Sequence, residues 1–103
     1  MRLKVCPVGE LHEKRGTRFD ADGREIALFR RDGAVYAINN VCAHQHFSVL
    51  HQGMLDGLTV TCPMHGWTYD LRTGKATTGQ GSVARYEAHI EQGIVYLDLP
   101  DQE

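Results

Sequence analysis

Two short clusters govern what this chain can become: Cys42-Ala43-His44 and Cys62-Pro63-Met64-His65, with seventeen residues between His44 and Cys62. Each supplies one thiol and one imidazole, and each stands where a strand-like segment gives way to a loop. Pro63 and Gly66 bracket the second cluster and let the backbone turn tightly against something bulky. Unrelated buried cysteines and surface histidines would have no reason to share this spacing. A fold that uses the four side chains together must bring two loops to one place.

The mixture of ligand types narrows the metal. A single zinc ion accepts two Cys and two His, but its usual spacing groups like with like, as a C-x2-4-C pair and an H-x3-5-H pair. Here each loop mixes the two, and the first has one residue between them. A two-iron, two-sulfide cluster accounts for the mixture, one iron taking a thiolate from each loop and the other an imidazole from each. Zinc in the same place, as the core of a metal-stabilised interaction module, is the competing reading.

Around these loops the chain reads as short antiparallel strands, with alternation or β-branched and aromatic enrichment in 3–8, 17–19, 25–30, 34–39, 58–62, 67–71, 83–91 and 94–99. Asp22-Gly23, Asp32-Gly33, Thr73-Gly74 and Gln92-Gly93 lie between them, each with the glycine that a tight reversal prefers. Only 10–15 and 47–52 could form a helical turn, and neither has the length of an independent helix. The expected class is all-β. At 103 residues there is room for one domain.

Charge and apolar patterning exclude several partners. The net charge of −2 offers no basic stripe for nucleic acid. No apolar run approaches the roughly 20 residues of a membrane span, and the N-terminal segment lacks a signal-peptide core. Three cysteines fit a reducing, cytoplasmic setting and metal ligation better than a disulfide framework.

The run Cys42-x-His44 followed by Cys62-Pro63-x-His65-Gly66-Trp67-x-Tyr69-Asp70-x-x-Thr73-Gly74 resembles the Rieske iron–sulfur family, and the layout is similar to its stand-alone ferredoxins. The resemblance implies a Rieske-like fold, with an antiparallel β-sandwich base from 1–40 and 79–103 and a cluster-binding subdomain near 41–78. It implies one [2Fe-2S] cluster, with Cys42 and Cys62 on the inner iron and His44 and His65 on the outer one. It implies a monomeric electron carrier, not a catalyst, between a flavin-dependent reductase and a terminal oxygenase. A small accessory subunit of a nitrite-reductase-type enzyme is the alternative of similar fold.

Departures from the high-potential members of that family point to a low potential. Phe47 and Met64 stand where those members have a disulfide, and Trp67 stands where they have a serine hydroxyl. Tyr69 acts in the other direction, since its hydroxyl can donate to a cysteine sulfur. The expected potential is in the lower half of the roughly −150 to +300 mV range of such centres, somewhat above its floor.

Other candidates read as ordinary. Cys6 is expected as a packed thiol, His46 and His51 as solvated loop residues, and His12 and His89 as surface or strand positions. Phe47, Met64 and Trp67 are expected either to shield the cluster or to form part of a docking face. The charged residues of 41–78, Asp56, Asp70, Arg72 and Lys75, sum to zero. Gly79-Gln80-Gly81 replaces the proline-rich cover common in related proteins.

Overall fold

A computed structural model describes residues 1–43, 47–64, 66–77 and 81–100. Nine strands make up nearly all of its regular secondary structure: β1 (Arg2–Pro7), β2 (Thr17–Ala21), β3 (Arg24–Arg31), β4 (Ala34–Asn39), β5 (Met54–Asp56), β6 (Thr59–Thr61), β7 (Thr68–Asp70), β8 (Arg85–Glu91) and β9 (Ile94–Asp98). The class is all-β, as expected. The helical turns reduce to two 3-10 segments, Val8–Glu10 and Leu50–Gln52. The first meets the expected 10–15 stretch only at Glu10, and the second covers only the end of 47–52.

Three hairpins share one device. β2–β3, β3–β4 and β8–β9 are joined by two-residue loops, Asp22-Gly23, Asp32-Gly33 and Gln92-Gly93, in which both residues have positive φ. That is the type I′ turn, whose twist matches that of the flanking strands. The strands order as β1-β9-β8-β4-β3-β2 in a six-stranded antiparallel sheet, and β5-β6-β7 form a second sheet of three. The larger sheet curls, so that Val5 and Cys6 of β1 line a cavity with Thr17, Arg18 and Phe19 of β2.

The β3–β4 hairpin is buried on both faces. Ile26, Leu28, Val35 and Ala37 enter one core with Leu11, Tyr86, Val95, Leu97 and Leu99. Ala27, Phe29 and Ile38 enter a second core with Cys42, Leu50, Val60, Cys62, Tyr69, Leu71 and Val83. This explains why 26–29 is an unbroken apolar run in a strand: both sides face protein. Each fully buried aliphatic or aromatic side chain there contributes about 1.5–3 kcal/mol. The three-stranded sheet and both cysteine loops are thereby seated on the back of β3–β4.

Candidate metal centre

The two cysteine loops are closed in the same way. After β4 the chain passes through Asn40 and Val41 to Cys42, whose N–H donates to the Phe47 carbonyl at 2.9 Å. After β6 it enters Cys62 directly, and the Cys62 N–H donates to the Trp67 carbonyl at 2.7 Å. Each cysteine amide thus reaches five residues forward and closes a loop that contains one of the candidate histidines. In the second loop the Gly66 N–H also returns to the Cys62 carbonyl at 3.0 Å, with Gly66 at φ +75°, a conformation open to glycine.

Both cysteines are 1 % exposed and belong to the same core. Tyr69 of β7 lies with them. Its hydroxyl is 3.3 Å from Cys42 Sγ and accepts the Ala43 N–H at 3.2 Å. With one lone pair taken by that amide, the phenol proton is directed at the sulfur whenever the sulfur is a thiolate. The Tyr69 phenol is pushed well above its ordinary value, first by burial and then by the Cys42 hydrogen bond and the charges of the Cys42 and Cys62 sulfurs; the Ala43 amide opposes this. Tyr69 therefore stays protonated and remains a donor.

This donor set suits an iron–sulfur group. Two thiolates in an apolar core would be costly to bury without a compensating cation, and soft sulfur ligands select such metals. Among the described residues no group of three or more His, Cys, Asp or Glu comes together. His44 and His65 lie outside the described residues, as do His46, Gly79 and Gln80. The cysteine half of the expected set is thus brought into one core.

Several neighbours differ from expectation. His51 is not a solvated loop residue: it is half-buried, its Nδ1 is 3.0 Å from Asn40 Oδ1, and its backbone N–H donates to the same oxygen at 2.7 Å. Burial, then the Arg18 charge, lowers its pKa, with Asp20 opposing. Asn40 is fully buried, and its role was not visible in the sequence because its partner is eleven residues away. Phe47 (43 % exposed) and Met64 (45 %) are surface residues rather than core. Trp67 packs against the second core. Met54, beside Thr61 in the β5–β6 pair, is 77 % exposed. Cys6 is half-buried, His12 is exposed against Arg15, and His89 on β8 faces Asp98.

Loss of the Tyr69 hydroxyl has a predictable consequence. Tyr69→Phe should remove a hydrogen bond that strengthens as negative charge builds on Cys42, and so lower the potential. At 59 mV per tenfold change in a one-electron equilibrium, a differential of about 1 kcal/mol corresponds to about 40 mV. Film voltammetry on the two proteins reads this directly; an unchanged or raised potential would remove the hydroxyl from the account.

Comparison with known proteins gives a consistent family. The family model described as Rieske [2Fe-2S] domain matches residues 1–87. The 3-phenylpropionate/cinnamic acid dioxygenase ferredoxin subunit of Escherichia coli K12 is 36 % identical, over 99 % of this chain and 97 % of its own. The ferredoxin of carbazole 1,9a-dioxygenase from Nocardioides aromaticivorans IC177 superposes with a TM-score of 0.88 at 29 % identity, covering 94 % of this chain and 96 % of that one. A similar match, TM-score 0.84 at 27 % identity and 93 % and 91 % coverage, is to a complex of reduced oxygenase and oxidised ferredoxin in carbazole 1,9a-dioxygenase. A proposed NADH-dependent nitrite reductase small subunit from Mycobacterium tuberculosis shares the fold, with a TM-score of 0.89 at 26 % identity and 94 % and 93 % coverage.

Proposed function

The chain belongs to the Rieske [2Fe-2S] domain family, and from that premise we infer that it is the ferredoxin component of a dioxygenase-type system, taking single electrons from a flavin-dependent reductase and delivering them to a terminal oxygenase. The observation that carries this reading is the pair of cysteine amides closing matched loops over Tyr69, in a chain whose whole length aligns with a dioxygenase ferredoxin subunit. The nitrite-reductase reading rests on shared fold at lower identity and is the weaker of the two.

Cys42 and Cys62 would hold one iron and His44 and His65 the other, with residues 41–78 as the cluster-binding part. The [2Fe-2S] group, when bound, supplies reversible one-electron chemistry. The chain's own residues do the rest. Val60, Leu71, Ile38 and Phe29 keep water from the inner side, and Tyr69 presents its proton to Cys42 Sγ. The short amide closures fix the two ends of each loop, which limits how far Cys42 and Cys62 shift when charge changes. Among the described residues no helix is long and apolar enough to cross a membrane.

Exposed Phe47 and Met64 on the two loops give partners an apolar contact close to the ligands. Asp70 and Arg72 pair with each other, at 3.0 and 3.2 Å, which leaves little net charge for steering. Electron transfer to the oxygenase should therefore change less than about threefold as salt is raised across the physiological range. Stopped-flow traces at several ionic strengths test this, and a steep fall in rate would contradict it. The function itself is tested by reconstitution with reductase and oxygenase. Product formation should require this protein, and turnover at the same rate without it would reject the reading.

A further inference from the structure

The first cysteine loop is held at its root by a carboxylate from the base. Ser48 stands opposite Val41 in an isolated antiparallel bridge, one residue past the Phe47 carbonyl that closes the loop. Its Oγ lies 3.0 and 2.9 Å from the two carboxylate oxygens of Glu25 and donates to them. The Glu25 backbone carbonyl accepts the Asn40 N–H at 2.8 Å. Glu25 therefore grips both legs of the loop, the incoming one through its main chain and the outgoing one through its side chain. The carboxylate is itself fixed: Arg18 Nη2 donates to it at 2.6 Å, while Asp20 holds the same guanidinium at 2.9 and 3.1 Å.

We propose that Glu25, braced by Arg18 and Asp20, is a positioning residue for the first ligand loop, anchoring its two ends, at Asn40–Cys42 and Phe47–Ser48, on the β2–β3 hairpin. This rests on the reading of that loop as a ligand loop. A charge-assisted hydrogen bond is stronger than a neutral one, so the seat depends on an ionised acceptor at position 25. The second loop runs between β6 and β7 of the other sheet and is closed by its own amides. Loosening the seat should thus act on one loop and not on the other.

Amide hydrogen exchange by mass spectrometry on the iron-loaded protein separates this from a general loss of stability. In Ser48→Ala, exchange over 41–49 should quicken about tenfold, as expected for one charge-assisted bond, while 61–67 stays within about twofold. Glu25→Gln, which keeps a carbonyl acceptor, should fall between wild type and Ser48→Ala. Glu25→Ala combined with Ser48→Ala should show less than the sum of the single effects, because both remove the same contact. Transfer of iron to a chelator should quicken in the same order. Unchanged exchange over 41–49, equal acceleration of both segments, or additive effects would each overturn the proposal. Exchange reports the backbone whether or not iron is bound, so failure of the electron-carrier reading would be seen separately, as wild-type protein that takes up no cluster.

Discussion

Cys42→Ser and Cys62→Ser proteins should each lose most of the visible iron–sulfur absorption, whereas Cys6→Ala should keep it at full intensity per chain. The expectation follows from where the three sulfurs sit. Cys42 and Cys62 are buried in one core beside Tyr69, at the start of two loops closed alike. Cys6 is on β1, half-buried against the other core, next to a bulge in its pairing with β9. Burial, then Glu10, raises its thiol pKa, so it is mostly protonated and a poor ligand. Serine is close to cysteine in size but offers a hard oxygen that binds iron–sulfur groups less well. Metal affinity is also folding energy, so the two ligand-loop variants should melt earlier and Cys6→Ala should not. Absorption spectra and thermal melts together decide it. A Cys62→Ser protein with the wild-type spectrum would mean that Cys62 is not a ligand.

Gly74→Ala is expected to cause the largest loss of stability from a single methyl group. Gly74 has φ +78°, and a Cβ there would lie 2.2 Å from the Val83 carbonyl oxygen and 3.3 Å from its carbon. Neither atom is the end of a flexible side chain. The Val83 N–H donates to the Gly74 carbonyl at 2.8 Å, and the Ala76 N–H donates to the Gly81 carbonyl at 3.0 Å, so the two segments cannot part without losing both bonds. Left-handed backbone costs a non-glycine residue about 1–2 kcal/mol, and forcing a methyl into packed structure adds about 1–3 kcal/mol. Against a total of about 5–15 kcal/mol this is large, and at about 4–8 °C per kcal/mol the melting temperature should fall by about 10 °C or more. Gly9→Ala is the control, since nothing lies within 4 Å of its would-be Cβ and the change should stay within about 0.5 kcal/mol. Equal melting temperatures for the two variants would contradict the packing described between Gly74 and Val83.

What the sequence revealed depended on how local each signal is. The Asp-Gly and Gln-Gly pairs specify their reversals within two residues, and all three hairpins they predict are present. Strand β5 went unseen because Met54-Leu55-Asp56 is too short to show alternation; it exists through pairing with Thr59–Thr61. The apolar run at 26–29 was legible as a strand, but its place as a wall between two cores depends on residues as far along the chain as Leu99. The setting of His51 is hidden for the same reason, since no local pattern reveals its contact with the Asn40 side chain. Tyr69 was the opposite case. Its position in the motif suggested a donor to sulfur, and its hydroxyl does lie 3.3 Å from Cys42 Sγ.

The central claim is that two loops, each with one cysteine and one histidine, share a single two-iron group. Pulsed electron paramagnetic resonance of the reduced protein, carrying histidine labelled with nitrogen-15, tests it most directly. The account predicts two strongly coupled imidazole nitrogens, one of them lost in His65→Ala. A paramagnetic centre with no coupled histidine nitrogen, or a reduced protein with no signal, would contradict it.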